Sequence, residues 1–189
     1  AEAEAEAEAE AGGDEDSSDE DFDRLPEDVG NLPDPGYTEP DPTNEQVEAL
    51  SRWKSEADEA LKNGDAQQAL ARFTKVISCG GATALLLAKR GELLLKQGRP
   101  CAAIKDCSSA LELNPDLGKA YRIRGIAHRK LGRWPEAKND LAEGQRLDFD
   151  DGTAAVEKFV CEKVRVAEER AARKRRLDAA GPGAKRGRA

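Results

Sequence analysis

Methionine is absent from all 189 residues, aromatic side chains make up 4% of them, and there is one histidine. No run of eighteen or more apolar residues occurs either, so no helix is long and apolar enough to cross a membrane. The chain starts "AEAEAEAEAE", with neither the charged start nor the apolar core of a secretory signal. Lacking Met at position 1 and everywhere else, it is read as a fragment or an incomplete gene model. Cysteines at 79, 101, 107 and 161 form no C-x-x-C pair and have no histidine near them in sequence. Metal, redox and disulfide chemistry therefore lack a framework. The four read as small buried hydrophobes in a reducing compartment, with the cytoplasm as the expected location. A Gly-rich phosphate loop and a paired-carboxylate site are missing too. His128 has no Ser or Cys nucleophile beside it in the pattern, which points to packing. Neither an enzyme nor a cofactor is expected.

Basic residues are scarce in one part of the chain only. Residues 1–48 hold nineteen Asp and Glu against Arg24 alone, while the remainder holds twenty-nine Lys and Arg against nineteen acids. The net charge of −8 conceals an acidic flank and a basic body. Residues 1–42 are poor in apolar side chains and dense in Asp, Glu, Gly and Pro. Such a segment cannot bury enough surface to offset its ordering entropy, so disorder is expected. The end, 179–189, is read as a flexible tail.

What the body does have is a period. "KLGRWPEAKNDL" at 130–141 matches "KQGRPCAAIKDC" at 96–107 in five of twelve positions, at an offset of thirty-four. Steps of thirty-four connect Gly132 to Gly98 and Gly64, Ala137 to Ala103 and Ala69, and Gly125 to Gly91 and Ala57. Leu141 falls on Cys107 and Phe73 in the same way. A period this long marks a tandem array.

Each unit reads as two helices, over about 50–83, 84–117 and 118–151. Gly64, Gly98 and Gly132 sit where the first helix should end in the left-handed conformation that only Gly adopts cheaply. Gly91 with Ala103, and Gly125 with Ala137, are small enough to let the paired helices cross closely. Trp53 and Trp134 fall at packing positions between helices. Thr43 with Gln46 makes a capping box, which starts the first helix. Val156, Phe159, Val160, Val164 and Ala167 recur at helical spacing from about Thr153. They predict a last helix, over 152–178, that covers the open apolar edge of unit three. Past Ala167, "EERAARKRRLD" has almost no apolar face and should project into solvent. Its basic run reads as a solvated helix end before it reads as a nuclear signal or a nucleic-acid contact.

The thirty-four-residue helix-turn-helix unit resembles the tetratricopeptide repeat, which implies an all-α superhelix of three helix pairs with a C-terminal capping helix. Unit two matches the repeat pattern best, through Gly91, Gly98, Ala103 and Pro115; unit one has Gly81 where Pro is usual. A narrower resemblance is carried by "AKR" (88–90), "AAIKDC" (102–107), "RGIAHRKLG" (124–132) and "LDFDD" (147–151). These look like the repeat region of the Hip family, the interacting proteins of the 70-kDa heat-shock cognate chaperone. The acidic flank and the charged last helix fit as well. That family's dimerisation segment and Gly-Gly-Met-Pro repeats have no counterpart in this sequence. In plant relatives a thioredoxin domain can follow the repeats, and without C-x-x-C this chain gives that redox role no support.

In such arrays the first helix of each unit lines a concave face. The resemblance places Lys54, Lys62, Lys89, Lys96, Lys119, Arg122, Arg129 and Lys130 there, against Asp58 and Glu92. The remaining repeat surface is nearly balanced in charge, so the cationic excess is concentrated in the groove. A focused positive cleft favours acidic partners by steering and pairing. Many tetratricopeptide co-chaperones clamp a chaperone's terminal carboxylates with two Lys, two Asn and a further basic residue. Lys54 and Lys119 match the two Lys, Asp58 and Lys89 replace the two Asn, and Ile123 replaces the last base. The Hip resemblance instead implies docking on the folded ATPase domain of the chaperone and stabilisation of its ADP state. Lys89, Arg122 and Arg129 match basic positions of that family. A scaffold for acidic peptides is the second reading. The acidic flank is expected to fold back and compete with partners for the groove.

Overall fold

The computed structural model describes residues 23–28 and 43–180, and among these every regular element is helical. Helices α1 (Asn44–Lys62) and α2 (Ala66–Ser78) form unit one, α3 (Ala84–Lys96) and α4 (Pro100–Leu113) unit two, and α5 (Gly118–Lys130) and α6 (Trp134–Leu147) unit three. The last helix, α7, runs Asp151–Ala180. Each first helix packs on the second helix of its unit, and α3, α5 and α7 also touch in succession. The result is a superhelix with α1, α3 and α5 on its inner side.

Local signals explain where the helices stop and start. Gly64, Gly98 and Gly132 hold φ of 78°, 75° and 73°, as the repeat spacing predicts. Thr43 and Gln46 form the expected capping box. The turn between units one and two contains Gly80 at φ 82° and then Gly81. A Cβ on Gly81 would come within 2.7 Å of Val76 Cγ1, so the departure from Pro there reflects a close approach to α2.

The crossing inside each unit is tight. A Cβ at Gly91 would meet Cys107 Sγ at 3.0 Å, and one at Gly125 would meet Leu141 Cγ at 2.8 Å. Ala57, Ala69 and Phe73 are buried at the matching place in unit one. Beside each crossing lies an ion pair that the pattern of small and apolar residues does not reveal. Arg90 grips Asp106 through two hydrogen bonds of 2.6 and 2.7 Å, with both side chains fully buried. Thirty-four residues on, Arg124 grips Asp140 at 2.7 and 2.7 Å. In unit one the polarity is reversed, with Arg72 on α2 lying 3.0 Å from Glu56 on α1. Burial pushes the Asp106 carboxyl upward and the Arg90 guanidinium pulls it back.

The last helix behaves as a cap. Val160 and Val164 are buried against Ala137 and Leu141, and Val156 and Phe159 pack alongside them. Ala167 is exposed, so the covering stripe ends one turn earlier than the sequence suggests. The helix begins slightly before the expected Thr153, because Asp150 caps it through the Thr153 N–H at 2.9 Å. Residues 168–179 are exposed throughout, as expected, and include "ARKRR". The rest of the proposed tail at 181–189 lies outside the described residues.

Two expectations need correction. Among the cysteines only Cys107 is buried; Cys79 is exposed and Cys101 and Cys161 are half-buried, all four as free thiols. Within the acidic flank read as disordered, residues 23–28 have a defined place. Residues 23–28 lie against the array, with the Leu25 N–H donating to the Lys130 carbonyl at 2.7 Å. The remainder of 1–42 falls outside the described residues.

The three repeat-related ion pairs differ in exposure as well as, for unit one, in polarity, and exposure should set their mutational costs. Arg90→Ala leaves a buried, unpaired Asp106 and should cost about 3–5 kcal/mol. Arg72→Ala, at a pair more than a third exposed, should cost about 0–1 kcal/mol. Arg124→Ala should fall between the two. Urea unfolding measures all three, and equal costs would rule out burial as the determinant.

Candidate functional site

The inner helices present one face each by helical spacing. Lys54 and Asp58 are four apart on α1; Lys89, Glu92 and Lys96 are three and four apart on α3; Lys119, Arg122, Ile126 and Lys130 continue the rule on α5. These side chains bound two hollows. The smaller, of about 170 Å³, lies between units one and two and is lined by Lys54, Asp58, Phe73, Leu85, Leu86 and Lys89, with Thr83 at its edge. The larger, of about 600 Å³, has Leu95, Ile123 and Ile126 as apolar floor and Glu92, Lys96, Lys119, Arg122 and Lys130 around it. Asp150 and Thr153, at the start of α7, close its far side.

Six of the seven proposed partner-binding residues therefore come together around these hollows. Arg129 does not line either one. Its guanidinium lies 4.8 Å from the Phe159 ring of α7 and 3.3 Å from Asp23. Lys62, counted with the groove from its repeat position, is exposed near the end of α1 and also lines neither hollow.

Charge in the groove is organised as pairs rather than as a bare positive surface. Lys89 Nζ donates to Asp58 Oδ1 at 2.8 Å. Glu92 receives both Lys96 and Lys119, each at 2.8 Å. Burial works to raise the Glu92 carboxyl, yet hydrogen bonds and charge from Lys119 and Lys96 outweigh it, so it titrates below its ordinary value. Arg122 donates to the Asp148 carbonyl at 2.5 Å and pairs with its carboxylate at 2.9 Å. Asp148 and Asp150, which lie outside the inner helices, are brought to the rim by the α6–α7 turn. That turn is fixed by Gln145, whose side chain bonds the Asp150 N–H at 2.7 Å and its carbonyl at 2.9 Å. Among the described residues, Lys54 and Lys130 make no ion pair.

Of the positions considered for a clamp, Lys54 and Lys119 face the groove, but the latter is held by Glu92. Asp58 and Lys89, which occupy the two Asn positions, bond each other. One ion pair thus stands where a clamp has two neutral amides. The groove can therefore accept an acidic surface broadly, while focusing on one carboxylate requires breaking existing pairs.

His128 stands apart from this face. It is half-buried, its Nε2 is 3.8 Å from Asp140, and burial lowers its pKa against the pull of that carboxylate. It packs beside the Arg124–Asp140 pair. Trp134 meets Phe159 edge-on at 6.1 Å, and Lys75 sits 4.2 Å over the Trp53 ring. Both tryptophans are packing residues, as their spacing indicates. Among the described residues no cluster of His, Cys, Asp and Glu could hold a metal ion.

Comparison with known proteins accords with this geometry. The sequence model of the tetratricopeptide repeat matches residues 55–118 and again 88–146. A 58 kDa phosphoprotein of Plasmodium berghei is 39% identical over 121 residues, covering 64% of this chain and 29% of that protein. Hsc70-interacting protein 1 of Drosophila melanogaster is 42% identical over 111 residues, covering 59% and 29% respectively. The chain thus spans about a third or less of the length of the curated relatives it matches. Among solved structures, the second tetratricopeptide domain of Spaghetti, bound to an HSP90 peptide, superposes with a TM-score of 0.51 at 31% identity. That match covers 56% of this chain and all of the other.

Glu92→Gln tests the pairing directly. The lowered carboxyl contributes stability above its unfolded pKa, near 4.5, and that contribution is lost as pH falls through the lower folded value. The variant should lose less stability on acidification than the parent, seen as a flatter acid limb in thermal melts. It should also bind a polyglutamate probe several-fold more tightly at low salt, where Lys96 and Lys119 become available. Unchanged affinity would show that Glu92 does not restrain the two lysines.

Proposed function

This chain belongs to the tetratricopeptide repeat family and is homologous to Hsc70-interacting protein, and from that premise we propose that it is a cytoplasmic co-chaperone adaptor. Its inner groove docks on an acidic face of the ATPase domain of a 70-kDa heat-shock chaperone and stabilises the ADP state. Lys54, Lys89, Lys96, Lys119, Arg122 and Lys130 supply the contacts, with Arg129 at the end of the same helix. The observation that carries this reading is the Asp58–Lys89 ion pair at the two positions where a carboxylate clamp uses Asn. A clamp needs neutral donors there; this chain holds a closed pair.

A folded acidic surface can engage such a groove without dismantling it. Rim cations such as Lys130 gain long-range attraction, and apolar contact falls on Leu95, Ile123 and Ile126. The second reading, capture of an acidic C-terminal peptide, is favoured by the solved structure with an HSP90 peptide. In this chain it would have to act through Lys54 and Lys119 alone.

The two readings separate in one set of binding measurements. The adaptor reading expects a chaperone without its acidic C-terminal tail to bind as well as the intact one, more tightly with ADP than with ATP. Lys130→Glu should weaken that binding about tenfold, equivalent to about 1.4 kcal/mol. The paired substitution Asp58→Asn with Lys89→Asn should create affinity for a free acidic tail peptide that the parent lacks. Loss of binding on removal of the chaperone tail would discard the adaptor reading in favour of the clamp.

A further inference from the structure

The turns of the three units carry different residues at one repeat position. Unit one has Asp65, whose carboxylate caps α2 by accepting the Gln68 N–H at 2.9 Å. At the same place units two and three have Arg99 and Arg133, and neither α4 nor α6 receives a side-chain cap from its own N-cap residue. The loss is confined to the two turns over which residues 23–28 lie.

The contacts of that segment are complementary to what the turns lack. Asp28 accepts the Cys101 N–H at 2.5 Å and the Ala102 N–H at 3.3 Å, which are the first free donors of α4. Its carboxylate is also 3.7 Å from Arg99 Nε and is largely buried. Glu27 pairs with Arg133 at 2.5 Å, and Asp23 with Arg129 at 3.3 Å. The Leu25 N–H takes up the Lys130 carbonyl in the last turn of α5. Arg24 lies over the turn so closely that a Cβ on Gly132 would run into its guanidinium. A helix end, two repeat-related arginines and a backbone hydrogen bond thus act on one short acidic stretch.

We infer that the turn edge of units two and three is a second binding site, separate from the groove, for an extended acidic segment, and that residues 23–28 fill it in cis. The helix dipole and unsatisfied amides at the start of α4 favour a carboxylate, and the arginines read a neighbouring pair of acids. Residues 23–28 therefore dock outside the groove and, among the described residues, approach its end at Arg129 and the Lys130 carbonyl. Release of the strap leaves a site of fixed chemistry, able to take the same kind of segment in trans.

Two measurements on the full chain test this. Amide exchange followed by NMR should show Cys101 and Ala102 exchanging at least tenfold faster in Asp28→Ala than in the parent, with Gln68 unchanged as the self-capped control. A labelled peptide of residues 20–31 should then bind Asp28→Ala at least tenfold more tightly than it binds the parent, whose edge is occupied. Adding Arg99→Asp to that variant gives α4 the local cap that unit one has. This should restore protection at Ala102 and abolish peptide binding, which a purely structural role of the edge would not require. Equal exchange in parent and Asp28→Ala, or equal peptide affinity in the two, overturns the inference.

Discussion

The close crossing of the two helices in each unit is the constraint on which the other features rest. Gly91 and Gly125 remove the side chain that would hold the helices apart, and the neighbouring Arg90 and Arg124 reach across to Asp106 and Asp140. A bidentate Arg–carboxylate pair is directional, so it fixes rotation of the inner helix as well as its distance from the outer one. With Arg90 turned into the α3–α4 interface toward Asp106, helical spacing brings Lys89, Glu92 and Lys96 to the groove side of α3. Unit one reaches the same rotation with Ala57 and an ion pair of opposite polarity, more exposed than the other two.

The groove so formed has its charges organised in advance. Asp58 holds Lys89, Glu92 holds Lys96 and Lys119, and Asp148 holds Arg122. Part-exposed pairs of this kind contribute little to stability, about 0–1 kcal/mol each. Their larger effect is to limit the orientational freedom of the cations, so that less is lost when a partner binds. They also raise the cost of concentrating several cations on a single carboxylate. Broad electrostatic complementarity to a folded surface is the recognition mode such a face suits best.

Much of the fold was legible because a repeat states its rules several times. Glycines at a thirty-four-residue spacing placed the helix stops, the capping box at Thr43 placed the first start, and Val160 with Val164 identified the capping helix. The ion-pair ladder was equally periodic, but in unit one its charges are exchanged, so no single residue type recurs through all three registers. Asp148 and Asp150 are not legible from the first helices, because the α6–α7 turn delivers them to the groove by tertiary folding. Asp58 and Lys89 are thirty-one residues apart, and their pairing appears only in the folded array, where the two side chains reach each other from α1 and α3. Residues 23–28 were hidden by composition: an acidic stretch with few apolar groups reads as unstructured. The signal was on the other side of the contact, in arginines standing where unit one has its capping Asp65.

Lysine reactivity tests most directly whether the paired inner face is the docking surface. Reductive methylation of the full chain, with and without an ADP-loaded ATPase domain of the 70-kDa chaperone, compares Lys96, Lys119 and Lys130 in the groove with Lys75 and Lys138 on the outer helices. The account predicts that the three groove lysines are protected by the domain while Lys75 and Lys138 react as before. Protection of the outer pair, with the groove lysines unchanged, would contradict it.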